Sequence, residues 1–441
     1  VLSMHHMFNG ASSFNGDIGG WNVSNVVYMY NMFNGATSFN GDIGGWNVSS
    51  VVYMYNMFTG ATSFNGDIGG WNDVSNVVNM NNMFNGATSF NGDISGWNVS
   101  SVTHMSSMFE GATSFNGDIG GWNVSSVKFM DSMFEGATSF NGNITSWNLN
   151  SITTLEAMFK GATSFNQPIG SWDISNVSTI TYMFYGASAF NQDLSAWLFP
   201  NVVSFSFMFS DATSFNGDIS AWNTSSIRVF NNMFNGATSF NSYINGWDMS
   251  SAIQLSGTFR DAIAFNQELD NWDINSVTKL SNIFYGATSF NQDISSWDTS
   301  NVTTMAGAFY GASAFNQRIG VWDFSTVTSV STMISNAGFD YNTYTTFLQD
   351  LSLGVPHIDL NFGTNNYVRL NDTTTNNAYD YLTNSRNITL NDAGAFTQDT
   401  IDNYNGTAIP EIIINSNLNY ITDISNTDQY VFITDSGGLF N

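Results

Sequence analysis

The apolar residues of this chain return on a fixed period. Within Ser24–Ala36 they fall at Val26, Met29, Met32, Phe33 and Ala36. Those intervals of three and four predict a short helix with one apolar stripe. Ser24, with Ser49 and Ser75 in later copies, precedes the stripe as an N-cap, and Gly35 stops the helix or turns the chain. Phe14–Trp21 reads as a strand: Phe14 and Ile18 are apolar, with Gly16 and Asp17 between them. The small pair Gly19–Gly20 predicts a bend or a close approach of neighbouring coils. Two helical turns are marginal alone and need packing on neighbours to persist.

The unit MFNGATSFNGDIGGWNVSSVVYMYN, residues 32–56, is followed at once by another copy, and the pattern runs from Met7 to about Thr332. All 13 tryptophans lie in it, from Trp21, Trp46, Trp71, Trp97 and Trp122 onward to Trp322. Each step is 25 residues except Trp71 to Trp97, which is 26 because Asp73 is inserted. A fixed period of this size marks a repeat protein whose units bury their apolar faces by stacking. Parallel strands ~4.8 Å apart would make 13 coils roughly 60 Å long. The predicted fold over residues 1–339 is a leucine-rich-repeat-like α/β solenoid, one parallel strand and one short helix per coil. A helix-free all-β solenoid is the alternative. A small α+β capping module is expected over 340–394. A strand-rich tail or a further β domain is expected over 395–441, with a linker at Gly406–Pro410 and strands at Glu411–Ile414 and Gln429–Thr434.

Superposing the copies separates held columns from free ones. Phe14, Phe39 and Phe64 begin a column that is Phe in every copy, and Asn15, Asn40, Asn65, Asn91 and Asn116 begin one that is always Asn. An invariant Asn inside a turning coil is expected to pair otherwise unsatisfied backbone groups, the stacked copies forming an amide ladder. The Asn9 column runs through Thr59, Glu110, Lys160, Tyr185 and Arg260 and is expected to face water. The tryptophan column is expected to be core rather than a glycan-stacking stripe. Tyr28, Tyr30, Tyr53 and Tyr55, at freely varying positions, are the better candidates for an exposed aromatic patch.

At the columns MFxGAxxFNxDIxxWxxSxV the chain resembles the BspA-like surface-protein repeats, most plainly in MFYGATSFNQDISSWDTSNVTTM read over residues 283–305 with Ile283 in the place of Met. The segments Gly338–Ser352 and Asn365–Leu390 resemble that family's closing module, although Val368 stands where the family commonly has Cys. The resemblance implies a secreted or surface-displayed interaction protein without catalytic residues, and it supplies no ligand.

Composition narrows the classes further. Asp and Glu number 34 against 8 Lys and Arg, a formal net charge of −26. Such a chain repels phosphates, so nucleic acid is not an expected partner. There is no cysteine and no apolar run long enough to span a bilayer. The opening VLSMHHMF starts inside a repeat, which predicts a processed or trimmed product. The stacked carboxylates Asp17, Asp42, Asp67, Asp93 and Asp118 are the candidate Ca²⁺ ligands, since carboxylates so close repel and calcium takes oxygen donors. Asn143, Pro168, Tyr243 and Arg318 interrupt that column, which argues for local backbone bonding instead. Sequons at Asn22, Asn47, Asn98, Asn123, Asn176 and Asn301, with others at Asn143, Asn223, Asn371, Asn387 and Asn405, are candidate glycosylation sites. The four histidines, His5, His6, His104 and His357, have no partner at a catalytic spacing. The expected function is adhesion or ligand binding at the cell surface or outside the cell, with a protein or glycan partner. The alternative is a structural subunit that self-associates into a filament, sheath or coat.

Overall fold

The computed structural model describes residues 1–71, 73–354, 361–364, 367, 369–370, 373–385, 389–392, 395–396, 432–433 and 439–440. Residues 28–52 represent one coil. Tyr28 makes a single parallel bridge to Ser3 on one side and to Tyr53 on the other, and the same bridge recurs coil by coil to Thr179 and again from Ser204 to Ser329. Consecutive turns follow, with Asn31 (φ 55°) and Gly35 (φ 69°) in the left-handed region. From Asn31 to Ala36 the backbone donors alternate. The N–H groups of Asn31, Phe33 and Gly35 bond the carbonyls of Tyr55, Met57 and Thr59 in the next coil at 3.1, 2.9 and 2.7 Å. Those of Met32, Asn34 and Ala36 turn back three residues to Met29, Asn31 and Phe33.

The helix expected over Ser24–Ala36 is therefore not formed. A left-handed residue every fourth position is incompatible with a right-handed helix, and half of the donors leave the segment to join the coils. The apolar stripe itself is real; a tight turn produces the same three-and-four spacing. Ser24 sits in a turn rather than at a helix start, its N–H bonded to Asn22 Oδ1 at 3.1 Å. The strand expected over Phe14–Trp21 is also not formed. The bridges lie at the Tyr28 column, and the arm after Phe14 is joined to its neighbours largely through side chains. Its glycines let the coils approach closely: a Cβ on Gly44 would sit 2.7 Å from the Asp67 carbonyl oxygen. Among the described residues of 1–339 the one helical element is the three-residue 3-10 turn Ile169–Ser171. The architecture is a repeated solenoid built from turns.

Each coil contributes Met29, Met32, Phe33, Ala36, Phe39, Ile43 and Trp46, or their equivalents, to a continuous core. Phe33 stacks on Phe39 of its own coil at 4.0 Å and on Phe58 of the next at 5.5 Å, and Trp46 lies 6.4 Å from Trp71. Full burial of one such side chain contributes about 1.5–3 kcal/mol, so the stack is held by its interior and tied by the bonds between coils.

The last coil ends at Asp340. Its N–H bonds Asn316 Oδ1 at 3.0 Å, and its own Oδ1 accepts the Thr343 N–H at 2.7 Å, capping helix α1 (Tyr341–Gly354). After α1 come β1 (Asn361–Thr364) and β2 (Arg369–Leu370), then α2 (Thr373–Asp380), the π turn Tyr381–Ser385, β3 (Thr389–Asn391) and β4 (Ala395–Phe396). β1 pairs with β3 and β2 with β4, both in parallel. The helix-and-strand layer foreseen for the repeats thus occurs twice after them, where no left-handed column interrupts the helix. Arg318 on the last coil binds Asp350 of α1 through both carboxylate oxygens at 2.6 Å. The short strands β5 (Phe432–Ile433) and β6 (Leu439–Phe440) pair antiparallel, β5 inside the Gln429–Thr434 run. Gly406–Pro410 and Glu411–Ile414 lie outside the described residues, as do Asn371, Asn387, Asn405, His357 and Val368.

Candidate binding surface

Each coil shows two exposed arms of opposite character. The Asn arm, residues 37–45 and their equivalents, repeats Thr, Ser, Asn, Gly and Asp with little change through the first five coils and varies after them. The bridge arm, residues 28–35 and their equivalents, varies from coil to coil at the Tyr28, Tyr30 and Asn34 columns. Of the six basic residues in residues 1–339, three lie on the bridge arm, Lys160, Arg260 and Lys279, and two, Lys128 and Arg228, stand one position before it. The sixth, Arg318, is held by Asp350.

The bridge arm is organised in patches. At coils one to three, His5, Tyr30 and Tyr55 stack at 4.8 and 4.7 Å, beside Tyr28 and Tyr53 at 5.7 Å. Burial and the neighbouring phenols Tyr30 and Tyr53 push the Tyr55 hydroxyl above its ordinary pKa. Further along, Asp131, Ser132, Glu135, Glu156, Ala157, Lys160 and Tyr182 line an open cavity of about 270 Å³. Lys160 Nζ bonds Glu135 Oε1 at 2.7 Å and lies 5.9 Å from the centre of the Tyr182 ring. The Glu135 hydrogen bond raises the lysine pKa against the cost of burial. Tyr182 stacks on Phe207 at 4.8 Å. A third patch places Arg260 4.5 Å above Tyr285, which stacks on Tyr310 at 4.7 Å.

Periodicity alone did not single out Tyr182 and Phe207. Both occupy the left-handed column, at φ 61° and 57°, where most other coils carry Asn, Ser or Gly and three carry His6, Ala157 and Thr332. Bulky residues are outliers there. The signal available in the sequence is a large aromatic ring in a column that is mostly small or amide-bearing.

The predicted ladders have definite places. Asn40 N–H donates to Asn15 Oδ1 at 2.9 Å, and the same bond joins Asn65 to Asn40, Asn91 to Asn65 and Asn116 to Asn91. The amide oxygen thus replaces a backbone carbonyl in the ladder. Phe39 and Phe64 are buried and Phe14 is partly buried. Trp46, Trp71, Trp97 and Trp122 are buried, each Nε1–H donating to a carbonyl of the preceding coil (Ile18, Ile43, Ile68 and Ile94), whereas Trp21 in the first coil is 38% exposed.

The carboxylates Asp17, Asp42, Asp67, Asp93 and Asp118 each spend one oxygen on the N–H two residues on, at 2.9–3.1 Å. The backbone and hydroxyl of Ser95 hold the Asp93 carboxyl below its usual range. Among the described residues no three His, Asp or Glu side chains converge on one ion position. The sequon residues Asn22, Asn47, Asn98 and Asn123 are exposed and bonded through Oδ1 to the serine N–H two residues on. Asn176 and Asn301 are exposed, or nearly so, and donate through Nδ2 to carbonyls of the preceding coil. No helix among the described residues is long and apolar enough to cross a membrane.

A family model described as "Mycoplasma protein of unknown function, DUF285" matches the chain four times, over residues 1–73, 72–169, 142–247 and 242–347. No curated protein matches the chain.

Proposed function

The chain belongs to the DUF285 family, and from that premise we propose that it is a non-catalytic binding module, displayed on a cell surface or secreted, which selects a protein partner with its bridge arm. The observation that carries this reading is the pair Tyr182 and Phe207. Aromatic side chains held at left-handed positions cost of order 1–3 kcal/mol each, and both rings lie outside the buried core, partly exposed. Stacked aromatics next to Lys160, Glu135 and Glu156 form the mixture of Tyr and paired charge that concentrates binding energy at protein interfaces. The likeness to BspA-like surface repeats supports the same reading, with the turn-built coil as a variant of the leucine-rich-repeat plan.

The test compares the native chain with a variant carrying Tyr30→Ser, Tyr55→Ser, Tyr182→Ser and Phe207→Ser for saturable binding to intact cells by flow cytometry. Saturable binding of the native chain that the variant loses supports the proposal. Equal binding by both, or none by the native chain, overturns it. A second reading, a structural subunit, has support in the near-identical Asn arms of the first five coils, which repeat one surface. Under that reading the purified protein forms regular filaments or sheets in negative-stain images; under the first it is a discrete particle.

A further inference from the structure

One coil departs from the others in four columns at once. Leu198, Phe199, Pro200 and Phe205 stand where an earlier coil carries Asn98, Val99, Ser100 and Met105. In the other coils the N–H of the Ser100 column bonds the Oδ1 two residues before it, closing the turn that leads into the bridge. Leu198 offers no acceptor and Pro200 no N–H, so this turn lacks its lock. Behind it Phe199 and Phe205 are both buried, their rings 5.0 Å apart, and Phe199 reaches to 4.7 Å from Trp222 of the next coil. The next coil also has a Phe, Phe230, but sets it with the small Thr224. Two rings in columns that elsewhere hold one at most overfill the space inside the bridge.

The bridge fails at that place. Thr179 and Ser204 are not joined, whereas every other junction from Ser3 to Ser329 has its bridge. Two backbone bonds accompany the bridge at the junction before: Ser178 N–H donates to Thr153 O and Leu155 N–H to Thr179 O, at 3.0 and 2.9 Å. Their equivalents, Val203 N–H to Ser178 O and Ile180 N–H to Ser204 O, are both absent. The junction at Thr154 lacks one of the two but keeps the other, Thr153 N–H to Lys128 O at 3.2 Å, together with its bridge. Val203, beside the gap, is 53% exposed.

The same two coils are tied closely on their other sides. Leu194 N–H donates to Asp218 O at 3.0 Å, a bond across the Asn arm without a counterpart in the other described coils. Trp222 Nε1–H to Leu194 O shortens to 2.8 Å. Tyr182 N–H to Ser206 O at 3.2 Å and Phe184 N–H to Met208 O at 2.9 Å remain. The junction is thus bonded on two sides and free on the third.

We propose that the junction of coils 179–203 and 204–228 is a joint, at which the stack splays at the bridge corner while pivoting on the Asn arm and the bonded turn after Tyr182. Local opening concentrates where backbone bonds are fewest, and a hinge needs only a few residues that absorb the change. The joint separates the Lys160 patch from the Arg260 patch, so its angle sets how far apart the two stand. It does not depend on what the bridge arm binds.

The chain has no cysteine, so spin labels can be placed without background. Lys128→Cys/Arg228→Cys and Arg228→Cys/Thr328→Cys put labels on one exposed column, four coils apart in each pair, and only the first pair spans the joint. Pulsed dipolar spectroscopy of the full chain should give a broader distance distribution for the first pair than for the second. Leu198→Asn, Phe199→Val, Pro200→Ser and Phe205→Met together give the coil the residues that fold in the same columns at 98–105, and should narrow the first distribution to the width of the second. Hydrogen exchange supplies a separate reading: the Ile180 and Val203 amides should exchange roughly tenfold or more faster than those of Leu155 and Ser178, and at a similar rate in the variant. Equal widths for the two pairs, a first width that the variant leaves unchanged, or exchange at Ile180 and Val203 no faster than at Leu155 and Ser178 overturns the joint.

Discussion

Phe109→Ala is the sharpest test of how the stack is held. Phe109 is fully buried, its ring 3.9 Å from Phe115 in its own coil, 5.6 Å from Phe84 behind and 5.7 Å from Phe134 ahead. Trp122 closes the fourth side at 6.4 Å. Truncation removes a buried ring from a site whose walls belong to three coils, so the cavity cannot collapse without shifting the Phe columns. The expected cost is about 3–5 kcal/mol. At about 1.4 kcal/mol per tenfold, that raises the local opening equilibrium by roughly two to three and a half orders of magnitude. A solenoid's units contact only their neighbours, so the loss should be confined to them. Amide hydrogen exchange read by mass spectrometry distinguishes local from global effects. Peptides spanning 84–134 should lose protection, including the Phe109 N–H bonded to Met133 O at 2.9 Å, while peptides from 265–315 keep theirs. A uniform loss over all coils would refute nearest-neighbour coupling. A change below about 1 kcal/mol would refute the claim that the Phe stack carries the stability.

Four further outcomes follow from the geometry. Asn116→Ala should cost about 1 kcal/mol in chemical denaturation by removing the acceptor of the Asn141 N–H (2.8 Å); Asn116→Asp should cost less, because a carboxylate oxygen of the same reach can accept that N–H. Trp21→Phe should remove most of the acrylamide-quenchable fluorescence, since the other tryptophans are no more than 4% exposed; unchanged quenching would contradict the buried column. Asp173, Asp193, Asp248, Asp293 and Asp298 have carboxyls lowered by bonds from the serine two residues on. A folded pKa below the unfolded one gives stability that is present above about pH 4 and lost as pH falls through the folded values. The melting temperature should therefore decline only in that acid range, and less steeply when these aspartates are changed to Asn. Arg318→Met should loosen α1 from the last coil, read as faster proteolysis within 341–354 with the repeats left intact.

The sequence made the stacking legible because stacking is what repetition enforces. The Phe14 and Asn15 columns, the Trp column and the apolar stripe Met29–Met32–Phe33–Ala36 could be read directly, since each coil must present the same group to the next. What it concealed was the backbone. A three-and-four apolar spacing is shared by a helix and by a turn chain whose alternate N–H groups point along the stack, and the deciding feature, left-handed Asn31, is invisible to periodicity. The bridge arm was half legible. Variation marked the Asn9 column and Tyr28 to Tyr55 as exposed, but the Lys160–Glu135–Tyr182 patch joins residues two coils apart and needs the register in space.

In the proposed reading one coil has two duties: inward columns hold the stack, and the bridge arm would recognise a partner. An alanine scan across residues 179–203, reading melting temperature and cell binding for each variant, tests that division most directly. The prediction is two disjoint sets. Phe184, Phe190, Asn191 and Trp197 lower stability, while Tyr182 and Tyr185 lower binding at unchanged stability. Binding losses that coincide with the stability losses, or that fall on no residue of the bridge arm, would contradict it.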